Sequence, residues 1–175
     1  PSVDALDDVL TRILSVDKPG QIVIECSTLA PEDKEAAAAR LGARLMAGDV
    51  LLLEGGIGAG KTHFSRCLIQ SRLPLPEDVP SPTFTLVQTY ETQGCEIWHS
   101  DLYRLGDVSE VEELGLTEAF EAAICLVEWP DRLGSLIPAN ALHLKFEPGQ
   151  AENSRILTLS WSAPRWDDLP GALAA

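Results

Sequence analysis

Hydrophobic positions along this chain fall into short runs of two different periods, and the alternation between them predicts an α/β protein. Val50-Leu51-Leu52-Leu53 and Ala123–Val127 are continuous apolar runs of strand length. Such runs are expected of strands buried on both faces of a sheet. Asp49–Glu54 is taken as the first of these strands. Gln21–Cys26 alternates polar and apolar residues and predicts a strand buried on one face. Ala141–Phe146 and Arg155–Trp161 alternate in the same way across Glu147-Pro148-Gly149-Gln150, which predicts a terminal antiparallel hairpin. Thr83–Tyr90 is a β-rich run and Cys95–His99 a second short one, joined by a hairpin-like turn at Glu91–Gly94. Helical spacing begins at Pro31, passes through an alanine-rich stretch to about Met46 and stops at Gly48. A second helix spans about Thr62 to Arg72. Ser109-Glu110-Val111-Glu112 reads as a capping box for an acidic helix reaching about Phe120. Val3–Leu14 is a short helix candidate ending at Pro19-Gly20, and the tail, with Pro164 and Pro170, reads as irregular with one short helical turn.

The architecture predicted is a single-domain α/β three-layer sandwich. Its sheet is mixed but mainly parallel, and ends in a C-terminal antiparallel hairpin. The expected division is an N-terminal extension over 1–20, the main folded domain over 21–162 and a tail over 163–175. A chain of 175 residues is long enough for one substantial core. No apolar run approaches the ~20 residues needed to span a bilayer. Asp4, Asp7, Asp8 and Asp17 argue against a secretory signal, so a cytoplasmic protein without membrane attachment is expected. Cys26, Cys67, Cys95 and Cys125 form no CxxC pair and read as reduced thiols, two of them (Cys67 and Cys125) in apolar contexts. The net charge of −14 disfavours a direct grip on nucleic acid, which needs a basic patch; it suits solubility or a basic protein partner.

The chemistry is concentrated between the first apolar strand and the helix after it. Gly55-Gly56-Ile57-Gly58-Ala59-Gly60-Lys61-Thr62 fits G-x-x-x-x-G-K-[ST]. Glycine permits backbone angles that a Cβ forbids, and lets backbone N–H groups approach phosphate oxygens. The helix N-terminus adds its unpaired N–H groups and positive dipole end. Lys61 reaches the β- and γ-phosphates as a point charge, and the Thr62 hydroxyl completes a Mg2+ shell. The His63 side chain reads as lying on the helix surface.

Hydrolysis requires a second acid toward Mg2+ and a group that orients water. Ala123–Glu128 is an apolar strand ending in a carboxylate, so Glu128 reads either as that metal-directed acid or as an ordinary strand-end glutamate. His99-Ser100-Asp101-Leu102-Tyr103-Arg104 is dense in functional groups. Asp101 reads either as the acid that positions water or as the cap of a turn, and His99 as a structural hydrogen-bonder. Ser81-Pro82-Thr83-Phe84-Thr85 reads as a rigid proline turn at the place where many P-loop hydrolases carry a nucleotide-sensing switch. The absence of an N-K-x-D stretch leaves nothing that marks a guanine-specific GTPase.

GGIGAGKTHFSR, SPTFTLV, HSDLYRL and CLVEWPDRLG follow one another in that order. Together they resemble the bacterial ATPase family of tRNA threonylcarbamoyladenosine biosynthesis, TsaE (YjeE), over about residues 25–160. The resemblance implies that the three-layer sandwich is a P-loop NTPase-like fold, with residues 21–162 as the P-loop ATPase domain; it also implies slow ATP hydrolysis with Mg2+, a cytoplasmic location and partnership with the transferase proteins TsaD and TsaB, with tRNA met only through that complex. It places the core of the nucleotide-binding phosphate loop at Gly58, Ala59, Gly60, Lys61, Thr62 and His63, and assigns Lys61 to phosphate, Thr62 and Glu128 to Mg2+, and Asp101 to hydrolysis, with Tyr103 and Trp129 near the site. Gly56, His63 and Ser100 depart from the residues usual in the family. Two other readings are a small-molecule P-loop kinase, disfavoured by scarce arginines between the motifs, and an ATP-switched assembly module without essential catalysis.

Overall fold

The computed structural model describes residues 20–26, 31–149 and 155–174. Its strands are β1 (Gln21–Cys26), β2 (Val50–Glu54), β3 (Val87–Glu91), β4 (Glu96–Asp101), β5 (Ile124–Glu128), β6 (Leu142–Pro148) and β7 (Arg155–Ser160). They form one seven-stranded sheet in the order β1-β7-β6-β2-β5-β4-β3. The central strands β6, β2, β5 and β4 are mutually parallel. Strands β3 and β7 run against the other five. The helix candidate at Val3–Leu14 lies outside the described residues.

The continuous apolar runs have a simple cause. β2 is flanked by parallel partners on both sides, and its successive side chains enter two different cores. Leu51 and Leu53 pack with Leu41, Leu68, Ile69, Leu126 and Leu144 on one face. Val50 and Leu52 pack with Val111, Leu116, Phe120, Val127 and Leu133 on the other. Helices α1 (Pro31–Arg44) and α2 (Lys61–Arg72) supply the first face. The second is covered by α3 (Val108–Glu113), α4 (Leu116–Ala122) and a 3-10 segment over Pro130–Leu136. The expected three layers and the antiparallel β6–β7 hairpin are both present. Among the described residues no helix is long and apolar enough to cross a membrane. Cys67, Cys95 and Cys125 are free thiols, with Cys67 and Cys125 buried. Burial pushes the Cys125 thiol up to about 12, which leaves it inert.

Four local expectations are corrected. The turn expected over Ser81–Thr85 is present and extends to Leu86, so the β-rich run expected from Thr83 does not begin there. Leu86 takes left-handed backbone (φ 65°) and its N–H donates to the Pro82 carbonyl at 2.7 Å, so pairing begins only at Val87. The acidic helix is capped by Asp107, not Ser109. The Asp107 side chain accepts from the Ser109 N–H at 2.8 Å, and Glu110 returns to the Asp107 N–H at 3.0 Å. That helix is also two helices, broken at Gly115 (φ 74°), which allows Leu116 and Phe120 to turn into the core. The tail, in turn, is ordered as a 3-10 turn over Pro164–Trp166 and a helix, α5 (Leu169–Ala174).

Candidate functional site

Three parallel strands end together at one edge of the sheet. Leu53 of β2 pairs with Glu128 of β5, and Glu128 pairs with Asp101 of β4. Two carboxylate residues therefore occupy adjacent strand ends beside the loop that follows β2. Ligands of parallel α/β sheets bind at this carboxyl edge.

The loop itself is an open cradle. Gly58 (φ 73°) and Gly60 (φ 108°) hold left-handed backbone, and a Cβ built on either meets no atom within 4 Å. Helix α2 starts at Lys61, and no side chain caps its first turn. Its leading N–H groups are thus free to face an anion. Lys61 is buried and folds across the loop, donating to the carbonyls of Gly55 (2.6 Å) and Gly56 (2.8 Å). Its ammonium lies 4.2 Å from the ring centre of Trp129, and Tyr103 packs on that ring at 4.9 Å. Burial holds the Lys61 pKa below its ordinary value, while the Glu128 and Asp101 carboxylates pull it back up.

The Thr62 hydroxyl donates to Glu128 Oε2 at 3.0 Å. The other carboxylate oxygen, Oε1, lies 2.9 Å from His99 Nε2. Asp101 is buried and accepts twice: Thr83 Oγ1 donates to Oδ2 at 2.8 Å, and the Tyr103 N–H donates to Oδ1 at 3.0 Å. Ser81 Oγ stands 2.7 Å from Thr83 Oγ1, completing a relay of hydroxyls into the carboxylate.

These residues fit magnesium carried on a nucleotide. Thr62 and Glu128 converge as a hydroxyl and a carboxylate, both hard oxygen donors, beside the open loop. Among the described residues no group of three or more His, Cys, Asp or Glu could hold a metal by itself. Mg2+ is commonly bound by one or two protein oxygens, with phosphate oxygens and water supplying the rest.

The structure brings Gly58–Thr62, Glu128 and Asp101 into one neighbourhood. The His63 side chain is separate: it is exposed, with a ring nitrogen 3.7 Å from Cys67 Sγ one turn further along α2. Three features escaped sequence reasoning. Thr83 binds Asp101; its hydroxyl in a proline turn was the available signal. Trp129 adopts left-handed backbone (φ 60°), which turns its ring toward Lys61. Beside Gly55, a cavity of about 350 Å³ is lined by Glu54, Gly55, Trp129, Pro130, Asp131 and Ile137.

The family model described as threonylcarbamoyl adenosine biosynthesis protein TsaE matches residues 28–157. This chain belongs to the TsaE family. The tRNA threonylcarbamoyladenosine biosynthesis protein TsaE of Bacillus subtilis (strain 168) is 35% identical over 143 residues, covering 81% of this chain and 88% of the relative. The protein of the same name from Rickettsia felis is 36% identical over 128 residues, covering 73% and 74%. Among solved structures, the crystal structure of Bacillus subtilis YdiB matches with a TM-score of 0.71 and 29% identity, over 88% of this chain and 94% of that one. The TsaE match spans the loop, the Thr83 turn, Asp101 and Glu128 together.

Proposed function

We propose that this chain is the Mg2+-dependent ATPase of bacterial tRNA threonylcarbamoyladenosine modification. In this reading it is cytoplasmic, acts with TsaD- and TsaB-type transferase proteins and meets tRNA only through them. The observation that carries the proposal is the Thr62–Glu128 pair at the mouth of the Gly55–Thr62 loop. A phosphate loop alone binds a nucleotide; a hydroxyl and a carboxylate converging beside it make the site suitable for the metal that hydrolysis needs.

The chain's residues divide the work. The loop and the first amides of α2 (Lys61–Arg72) hold phosphate oxygens, and Lys61 adds a positive charge that exchanges loop carbonyls for phosphate. Thr62 and Glu128 are the ligands for magnesium, which when bound supplies charge to offset that of the phosphates. Asp101 orients water. Two donors already fix its carboxylate, so it acts as a positioned acceptor. An acidic chain of net charge −14 accords with an indirect relation to tRNA. Ile57 and Phe84, 80% and 85% exposed on the loop and on the Thr83 turn, are apolar contacts available to a protein partner.

One observation also favours a second reading, in which ATP serves as an assembly switch. Phe84 adjoins Thr83, so any change at Asp101 on nucleotide binding is transmitted to an exposed apolar side chain. A reconstitution separates the two. ATP hydrolysis is measured with the chain alone, then with TsaD, TsaB and tRNA, alongside threonylcarbamoyl transfer. Stimulated hydrolysis and loss of transfer without ATP are expected. Transfer that needs ATP binding but not hydrolysis favours the switch, and transfer indifferent to this chain refutes both.

A further inference from the structure

Glu128 is a flexible side chain at a strand end, yet both its oxygens are committed. Oε2 faces Thr62, and Oε1 faces His99. We propose that His99 is a positioning residue for magnesium: it anchors Oε1 so that Oε2 stays aimed at Thr62. The inference rests on the reading of Thr62 and Glu128 as the metal's ligands.

Four observations support it. First, His99 is fully buried (0% exposed) and Glu128 nearly so (2%), which makes the 2.9 Å contact a hydrogen bond shielded from water. Second, strand register fixes its direction. His99 pairs with Leu126, two residues before Glu128 on the neighbouring parallel strand, and residues two apart share a face. Third, His99 Nδ1 is buried and has no hydrogen-bond partner among the described residues. A histidine kept for structure alone is normally satisfied at both nitrogens; among the described residues this ring's polar contact is with Glu128 alone. Because a carboxylate only accepts, the tautomer bearing its hydrogen on Nε2 is the one that fits. Fourth, a carboxylate that binds metal generally needs a hydrogen-bond partner behind it to hold its orientation, and among the described residues no other side chain bonds Oε1.

The test compares nucleotide binding with and without metal. Affinity for a fluorescent ATP analogue is measured with Mg2+ and with EDTA, and Mn2+ binding is followed by electron paramagnetic resonance. His99→Leu removes the donor. It is expected to weaken the metal-supported affinity and Mn2+ binding by about 10–100-fold, the usual effect of losing such a support, while the affinity in EDTA is unchanged. His99→Gln, whose amide reaches as far as Nε2, is expected to recover most of the loss. If His99→Leu does not fold, His99→Asn takes its place. Its amide is too short to reach Glu128, so it should lose metal support where His99→Gln keeps it. Equal metal dependence in these variants and the unsubstituted protein overturns the proposal. So does an equal loss with and without metal, which would mark a purely structural role. If the unsubstituted protein shows no metal-dependent binding, the reading of Thr62 and Glu128 falls, and this inference with it. If it does show such binding and His99→Leu retains it, only the role of His99 falls.

Discussion

Single residues at this site face different demands, and substitutions should separate them. Lys61 supplies charge to phosphate, so Lys61→Ala should abolish nucleotide binding, as measured by titration with a fluorescent analogue. Among the described residues the Asp101 side chain makes no hydrogen bond to the loop; its bonds go to Thr83 and Tyr103. Asp101→Ala should therefore keep binding near that of the unsubstituted protein and lower turnover by about 100-fold or more, the usual worth of a positioned acid or base. An unchanged hydrolysis rate would remove Asp101 from the mechanism. Two glycines of the loop differ in the same way. Gly60→Ala meets open space and bears only the strain of its left-handed backbone, about 1–3 kcal/mol. A Cβ at Gly55 (φ 148°) would also stand 2.8 Å from the Phe146 carbonyl, and backbone cannot swing aside. Urea unfolding should thus rank Gly55→Ala as the less stable variant; equal midpoints would contradict the packing at Phe146.

Elements show which parts of the fold were legible in the sequence and why. β2 and β5 were readable because strands with parallel neighbours on both sides must be apolar throughout, leaving little ambiguity. The loop was readable because its glycines and lysine answer a local need. Thr83–Leu86 was misread, since β-branched and aromatic composition was outweighed by a turn whose hydroxyl is drawn to Asp101, far along the chain. The contact of Thr83 depends on a turn meeting a separate strand, and that of His99 on register between two strands, neither of which a local pattern encodes. The cap of α3 was misplaced by two residues because Asp107 and Ser109 both head an acidic stretch; the structure selects the carboxylate. That choice has a pH signature. The Ser109 N–H and hydroxyl hold the Asp107 pKa below its ordinary 3.8. A carboxylate with a depressed folded pKa adds stability above its unfolded value and loses it as pH falls through the folded one. Asp107→Ala should lower the melting temperature at pH 7, and the gap to the unsubstituted protein should narrow below pH 3.8. A gap that is constant with pH, followed by circular dichroism, would mean that the charge of the cap contributes nothing.

For the molecule as a whole, the question is how far the nucleotide site depends on the rest of the core. Trp166 lies at the end of the sheet remote from the loop, 1% exposed, within the same apolar cluster as β2 and α2. Its indole N–H donates to the Asn140 carbonyl at 2.8 Å. The neighbouring Arg165 stacks on its ring at 4.7 Å and binds the buried Asp49 carboxylate at 2.8 Å, just before β2 begins. The tail thus braces the start of the strand whose other end carries the phosphate loop. Trp166→Ala removes a buried aromatic and frees Arg165 from its stack, and should cost about 3–5 kcal/mol of folding stability. The loop is formed by contacts at the opposite edge, so nucleotide affinity, measured well below the variant's melting temperature, should not change. Saturating nucleotide should then raise the stability of variant and unsubstituted protein by the same increment, because that increment depends only on ligand concentration and affinity. Chemical unfolding with and without ATP analogue and Mg2+ checks both parts. A loss of affinity in parallel with stability would mean that the tail shapes the site through β2, and that core and site cannot be treated as independent.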